Sequence, residues 1–225
     1  MRRRAYQDRH EAGTELADLV AIHLAGHLAG TDRSPNTVDV DVVVLGLARG
    51  GVPVAAPIAV RLGAPLDVLT VRKIGAPGQR ELAIGAVASG GLIMFNDDLV
   101  ARLGLRRREI DDLAARARAE LVEKEARFRR DHPAVPLAGR VVVVVDDGLA
   151  TGATMQVALA AVRTAEPASM VAAIPVGAPD SCRRVAESAD VLICPFQPED
   201  FSAVGQWYRD FSATSDDEVL RLLAG

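Results

Sequence analysis

Residues 140–155 read RVVVVVDDGLATGATM, and the rest of the chain is organised around this stretch. The five valines Val141–Val145 are typical of a strand buried on both faces of a parallel sheet, because β-branched side chains pack well on a pleated surface. Asp146 and Asp147 follow where that strand leaves the sheet, and a helical pattern begins at Met155. A strand, a short turn and a helix in this order predict an α/β fold.

The turn from Gly148 to Thr154 consists of small and hydroxylated residues. A turn that leads into a helix N-terminus favours anions, because free backbone N–H groups and the helix dipole meet there. Thr151 and Thr154 add hydroxyl donors, and Gly152 lets the backbone approach a ligand closely. Two carboxylates beside such a turn suit a ligand that carries a phosphate together with hydroxyls or a metal ion. The alternative is an ordinary strand-to-helix turn with a capping aspartate.

The apolar strand, the Asp-Asp pair and the run Ala-Thr-Gly-Ala-Thr at 150–154 closely resemble the phosphoribosyl pyrophosphate (PRPP) motif of type I phosphoribosyltransferases. The resemblance implies that Asp146 and Asp147 hold the ribose hydroxyls and meet Mg²⁺ through water or the ligand. It also implies that the loop wraps the 5′-phosphate. The implied fold is a parallel twisted sheet flanked by helices, with a flexible loop or hairpin and a small C-terminal hood.

A second strand-turn-helix unit lies earlier in the chain. Val40 to Leu47 is a strand candidate, the turn is Arg49-Gly50-Gly51, and Val54 to Leu62 has a helical pattern. In the resembling family this place holds the pyrophosphate loop, whose backbone N–H groups contact the diphosphate. Taken alone, Arg-Gly-Gly after a strand is equally compatible with a plain turn.

Leu66 to Val71 is a third strand candidate, and it ends in two basic residues. The following residues 74–81 combine glycine, proline and charge, which predicts a mobile loop. In the resembling family a flexible loop at this place closes over PRPP and excludes water. The alternative is a solvated charged loop. The pyrophosphate candidates here are Arg72, Lys73, Arg80 and Glu81.

Ala83–Ala88 and Gly91–Asn96 predict a β-hairpin around a Ser-Gly-Gly turn. From Arg106 to about Arg130 the pattern predicts one long helix with a narrow apolar stripe. The stripe suggests packing against the domain edge or against a partner subunit, so a homodimer is compatible with the sequence. The charges on the other faces of this helix are expected to be solvated.

Residues 195–211 hold much of the chain's sparse aromatic content, which is 4% overall. Aromatic rings beside a phosphosugar site suit stacking on a planar acceptor. The segment also resembles the C-terminal hood of purine phosphoribosyltransferases. The alternative is that the rings fill a lid over the sheet edge. The acceptor-binding candidates are Phe201, Trp207 and Tyr208.

Composition limits the other functions. A chain of 225 residues with 49% hydrophobic residues can bury a sizeable core, and we expect residues 1–225 to form a single domain. A net charge of −4 argues against a main role in nucleic-acid binding. No run approaches the length of a membrane span. Cys182 and Cys194 lack metal-ligand spacing and indicate a reducing, cytoplasmic setting.

The expected activity is Mg²⁺-dependent transfer of the 5-phosphoribosyl group from PRPP to a nitrogen acceptor, possibly a nucleobase, with release of pyrophosphate. We expect Asp146, Asp147 and Lys73 to be the catalytic residues. Hypoxanthine-guanine enzymes of the family carry an acidic general base at the position of Ala150, which argues against that acceptor class. The alternatives are a PRPP-sensing regulator on the same fold and a response-regulator phospho-acceptor, although the sequence lacks the latter's further Asp and Lys. The resemblance assigns PRPP contacts to Arg49, Gly50, Gly51, Arg72, Lys73, Asp146, Asp147, Gly148, Leu149, Ala150, Thr151, Gly152, Ala153 and Thr154.

Overall fold

A parallel sheet of five strands forms the centre of the molecule. The structure is a computed structural model that describes residues 6–29, 41–129 and 132–225, with the backbone alone at 27–29, 80 and 81. The strands of this sheet are β1 (Val42–Leu47), β2 (Leu66–Leu69), β6 (Val141–Val145), β7 (Ser169–Ala173) and β8 (Val191–Ile193). Their order is β2-β1-β6-β7-β8 and every neighbouring pair is parallel, which confirms the predicted fold class.

The valine run is buried on both faces of the sheet, as its composition predicts. Val143 and Val145 face a core shared with α1 (Arg9–Ala29) and α2 (Gly51–Leu62). Val142 and Val144 face the opposite core, which is shared with α5 (Ala153–Arg163) and α6 (Pro179–Ala186). Helices on both faces leave the ends of the strands as the open edge at which loops gather.

Residues 74–81, where the sequence predicts a mobile loop, belong to a second sheet. Its antiparallel strands are β3 (Val71–Ala76), β4 (Gln79–Ala88) and β5 (Ile93–Phe95). Pro77 and Gly78 form a two-residue turn, and Gly78 has a φ of +72° that glycine adopts without strain. Ile74 and Ala76 are buried, so the segment has the alternation of a strand. Residues 74–81 therefore belong to an antiparallel hairpin, their mobility stays a prediction, and the predicted hairpin of β4 and β5 is confirmed.

The predicted long helix is α4 (Arg107–Arg129), and the shorter α3 (Asp97–Leu103) precedes it. The side chain of Asn96, not Asp97, caps α3 by accepting from the Leu99 N–H at 3.0 Å. Ala114, Ala117 and Leu121 pack against the small sheet. The apolar stripe is therefore buried within the chain, and it no longer supports a partner subunit.

The charges of α4 are not all solvated, which corrects the prediction. The exposed pair Glu123–Arg127 forms at 2.9 Å, as the spacing predicts. Arg129, however, pairs with Asp67, whose side chain is 5% exposed and also accepts from the Val135 N–H at 2.9 Å. This pair fixes the end of α4 to β2.

The C-terminal segment folds back over the open edge of the main sheet and ends in α7 (Asp216–Leu223). Trp207 and Tyr208 form a buried cluster with Tyr6 and Val176, and Phe196, Phe201 and Val204 pack against it. Cys182 and Cys194 are free thiols whose sulfur atoms lie 3.6 Å apart. Across the described ranges, no helix is long and apolar enough to cross a membrane.

Candidate functional site

The two glycine-bearing turns meet at one edge of the sheet. β1 and β6 are parallel neighbours, with Gly46 opposite Val145, so the turns that follow them emerge side by side. A Cβ built on Gly51 would lie 2.5 Å from the Val145 carbonyl oxygen and 3.0 Å from the Asp146 Cα. The Arg49–Gly51 turn thus touches the acidic pair, although about a hundred residues separate the two in sequence. The Ala48–Arg49 peptide bond is cis.

Two helix N-termini flank this acidic pair. The N-cap residues are Gly50 for α2 and Gly152 for α5, and neither helix has a side-chain cap or an acidic residue in its first turn. Gly152 has a φ of +77°, which turns the chain sharply into α5. The first N–H groups of such helices need partners, and the helix dipole favours anionic ones. Each side of the acidic pair therefore offers a site for an anion.

Asp146 and Asp147 are adjacent carboxylates in a confined space. The Asp147 N–H donates to Asp146 Oδ1 at 2.9 Å. Burial raises the pKa of Asp146 well above its ordinary value, and the Asp147 charge raises it further. Burial also raises the pKa of Asp147, while the Arg9 guanidinium opposes that shift. Both carboxyl groups are therefore harder to ionise than usual, and a nearby cation would favour their charged forms.

Arg9 is the member of the site that sequence reasoning missed. Its Nε lies 2.8 Å from Asp147 Oδ2, and its side chain is 12% exposed. The residue stands at the start of α1, where a positive charge opposes the helix dipole. That mismatch is the one signal in the sequence, and it does not identify Asp147 as the partner.

Hydrogen bonds join the loop after β6 to the segment that follows β7. Leu149 is buried, its N–H donates to the Val176 carbonyl at 2.9 Å, and its own carbonyl accepts from the Ala178 N–H at 2.9 Å. The Ser181 hydroxyl donates to the Ala150 carbonyl at 2.6 Å. Thr151 and Ala153 are exposed and Thr154 is half-buried. The loop is thus anchored at its base while its tip faces solvent.

The predicted basic residues are divided between different surroundings. Lys73 is exposed and lines a cavity of about 550 Å³ between α5 and the small sheet, together with Ala153 and Thr154. Arg72 instead forms an ion pair with Glu120 on α4. Glu120 therefore competes with pyrophosphate for the Arg72 guanidinium. Arg49 lies 3.4 Å from Asp216 in an exposed pair. The side chains of Arg80 and Glu81 lie outside the described residues.

The aromatic rings mainly form a lid, and two of the three predicted acceptor contacts are buried in it. Trp207 is 1% exposed and packs edge-on against Phe196, with ring centroids 5.0 Å apart. Tyr208 is also buried, and its hydroxyl donates to the Asp147 carbonyl at 2.5 Å. Neither ring offers a free face for stacking in this conformation. Phe201 is half-buried and stays a predicted acceptor contact.

The hood also lies against the loop after β6. A Cβ built on Gly148 would lie 3.0 Å from the Val204 Cβ and closer still to its methyl groups. Gly148 therefore permits the close approach of the hood to the acidic pair.

The donor set fits Mg²⁺ bound jointly by protein and ligand. In the parts of the chain that are described, no group of three or more His, Cys, Asp or Glu side chains could hold a metal ion. Mg²⁺ is commonly held by one or two carboxylates together with phosphate oxygens and water. The two adjacent carboxylates satisfy the protein's share of that arrangement.

The fold and the site together point to the phosphoribosyltransferase class. The features that do so are the parallel sheet, the acidic pair at a strand end, the glycine turn on the neighbouring strand and the C-terminal hood. Residues 13–210 match the sequence profile of the phosphoribosyl transferase domain. The chain therefore belongs to the phosphoribosyl transferase family.

Two individual proteins are similar over nearly the whole chain. The first is "Putative phosphoribosyl transferase Rv0571c" of Mycobacterium tuberculosis strain H37Rv, which is 44% identical over 218 residues. That alignment covers 97% of this chain and 46% of the relative, so the chain spans about half the length of the curated relatives it matches. The second is TT1426 from Thermus thermophilus, whose crystal structure matches with a TM-score of 0.79, 39% identity and 97% coverage of both chains.

Proposed function

We propose that this chain binds PRPP at the Asp146–Asp147 cleft and transfers its phosphoribosyl group to a nitrogen acceptor. The observation that carries the proposal is the meeting of two uncapped helix N-termini at one pair of carboxylates. A ligand complementary to this cleft has two separate anionic groups and a polar, hydroxyl-bearing centre. PRPP has a 5′-phosphate, a 1-diphosphate and a ribose between them.

The proposed placement follows from the two turns. The 5′-phosphate lies in the loop Ala150–Thr154 at the N-terminus of α5, and the diphosphate lies against Arg49–Gly51 at the N-terminus of α2. The ribose hydroxyls donate to Asp146 and Asp147. Lys73 approaches the phosphates from β3, since it lines the same cavity as Thr154.

The proposed reaction breaks the bond between ribose C1 and the diphosphate oxygen and forms a bond between C1 and the acceptor nitrogen. The diphosphate leaves with the electron pair of the broken bond, and the acceptor nitrogen gives its proton to water or to the departing diphosphate. Bound Mg²⁺ would neutralise charge on the departing diphosphate. The chain's own contribution is to position the ribose and to stabilise charge, because the turns and the acidic pair are held in place by the sheet. The carboxylates favour the cationic character that develops at C1.

The residue at position 150 limits the class of acceptor. Ala150 supplies no acidic group, and its carbonyl is occupied by Ser181. A purine that needs an acidic residue at this position for proton removal is therefore a poor candidate. The proposed acceptor is a nitrogen nucleophile, and Phe201 is its predicted contact.

The proposal is tested by calorimetry with PRPP and Mg²⁺. We expect the wild type to bind and the Asp146→Asn/Asp147→Asn variant to lose at least tenfold in affinity, since two charge-assisted contacts are removed. Asp97→Asn/Asp98→Asn is the matched control, because it changes an adjacent and exposed aspartate pair at the start of α3. Absence of binding by the wild type, or equal loss in the control, would refute the site.

Turnover is a separate measurement. We expect pyrophosphate release with PRPP and at least one member of a panel of nucleobases and other nitrogen acceptors. If PRPP binds and the whole panel stays silent, the non-catalytic PRPP sensor becomes the better account. Sedimentation analysis tests whether the chain forms a homodimer, for which the buried stripe of α4 gives no support.

A further inference from the structure

We infer that Arg9 is a positioning residue that holds Asp147 for the ribose and ties the C-terminal segment to that carboxylate. The inference rests on the proposed function, since it concerns the same site. It assigns a role to the start of α1, which lies outside the PRPP motif and the pyrophosphate turn.

The Arg9 guanidinium connects three parts of the molecule, which are α1, the acidic pair and residues 211–212. Its Nε donates to Asp147 Oδ2 at 2.8 Å. Its Nη1 donates to the Ser212 carbonyl at 2.7 Å. Its central carbon lies 4.0 Å from the centroid of the Phe211 ring. One side chain therefore contacts the acidic pair, the last residue of the hood segment 195–211 and the residue that follows it.

Only arginine can make all of these contacts together. Its planar fork presents donors in several directions and stacks on an aromatic face, whereas lysine offers a point charge on a flexible stem. The Arg9 side chain is 12% exposed and that of Asp147 is 16% exposed, so solvent screens their interaction only weakly. The contact is also favoured because it compensates the placement of a cation at a helix N-terminus.

This arrangement fixes the orientation of the Asp147 carboxylate. Arg9 occupies Oδ2, and a ribose hydroxyl can then bond to the other oxygen without the carboxylate having to reorient. The Tyr208 hydroxyl holds the backbone carbonyl of the same residue at 2.5 Å. Residues 208–212 thus contact Asp147 directly, through the Tyr208 hydroxyl, and indirectly, through Arg9. The proposed ribose site is thereby connected to the C-terminal end of the hood.

A double-mutant cycle on PRPP affinity tests the coupling. We expect Arg9→Met to weaken the binding of PRPP with Mg²⁺ about tenfold, and Asp147→Asn to weaken it at least as much. In the Asp147→Asn background we expect Arg9→Met to cost less than about twofold more, because the partner that Arg9 positions is already altered. Arg9→Lys should fall between the wild type and Arg9→Met. Losses that multiply fully, or an Arg9→Met variant that binds like the wild type, would overturn the inference.

Hydrogen exchange without ligand separates this inference from the proposed function. The Arg209 and Asp210 N–H groups donate to the Tyr6 and Gln7 carbonyls at 2.8 and 2.9 Å. We expect Arg9→Met to accelerate exchange at these two amides at least tenfold. The control is Arg61→Met. Arg61 lies on α2 and forms an exposed ion pair with Asp18 of α1, the helix that begins at Arg9. If the wild type does not bind PRPP, the proposed function fails together with the part of the inference that concerns the ribose, and this exchange decides whether Arg9 ties the C-terminal segment to Asp147. Unchanged exchange in Arg9→Met would then overturn it.

Discussion

Replacing Gly51 with alanine tests whether the contact between the two turns is as close as the structure shows. An added Cβ would lie 2.5 Å from the Val145 carbonyl oxygen, whereas ordinary contact begins at 3.4 Å. The shortfall of about 0.9 Å concerns backbone atoms of a central strand, which cannot rotate away as a side chain can. Either the start of α2 or the end of β6 must therefore move, and Asp146 follows directly on β6.

The expected cost of this overpacking is about 1–3 kcal/mol. The higher helix propensity of alanine offsets little of it, because Gly51 lies at the first position of α2 and not in its interior. For a chain of this size each kcal/mol lowers the melting temperature by about 2–4 °C, so we expect a decrease of about 2–12 °C in thermal unfolding followed by circular dichroism. We also expect at least a tenfold loss in PRPP affinity by calorimetry, because the displaced turn is the proposed diphosphate site.

Gly26→Ala is the matched control for the same chemical change. Gly26 is exposed within α1, and a Cβ built on it meets nothing within 4 Å. Alanine at such a position stabilises a helix by up to about 1 kcal/mol, so the melting temperature should rise slightly and PRPP affinity should not change. A Gly51→Ala protein as stable as the wild type, with the same PRPP affinity, would refute the reasoning about the turn.

Three other predictions concern stability. Because burial raises the folded-state pKa of Asp146, its contribution to stability is present at acidic pH and is lost as the pH rises through that pKa. We therefore expect Asp146→Asn to unfold at a higher temperature than the wild type at pH 7, with a smaller difference at pH 4. Phe128→Ala should lower the free energy of unfolding by about 3–5 kcal/mol in urea titration, since this ring is 0% exposed, whereas Val122→Ala, at 58% exposed on the same helix, should change it little. Arg129→Met should cost about 3–5 kcal/mol because it leaves the buried Asp67 carboxylate unpaired, and a loss below about 1 kcal/mol would contradict that account.

The sequence predicts the main sheet well because local chemistry decides it. A run of five valines has one good environment, a strand covered on both faces, and the strand's position then places the adjacent carboxylates at its end. The meeting of the Arg49–Gly51 turn with Asp146 was expected only through the family resemblance. Its physical cause is the pairing of β1 with β6, a contact between distant segments that local patterns do not reveal.

The hairpin at 71–88 shows why composition alone did not predict strands in this segment. Glycine and proline at 75, 77 and 78 carry the composition of a loop, but Ile74 and Ala76 have the alternation of a strand. Tertiary packing decided between these two signals, because α4 offers Ala117 and Leu121 as a surface for the buried face. Sequence patterns alone cannot reveal which surface a short alternating segment will find.

The charges around the cleft support a ligand with two anionic ends and a cation. Two adjacent, partly buried carboxylates repel each other when both are ionised, and Arg9 offsets the charge of Asp147. Among the described residues no second cation pairs with Asp146, which lies between two helix N-termini that carry positive partial charge. A simple dianion would satisfy the helix ends but not the carboxylate, and a cation alone would satisfy only the carboxylate. PRPP with Mg²⁺ satisfies both, so binding measured with PRPP alone should be weaker than binding with PRPP and Mg²⁺. Equal affinity in EDTA would contradict this charge balance.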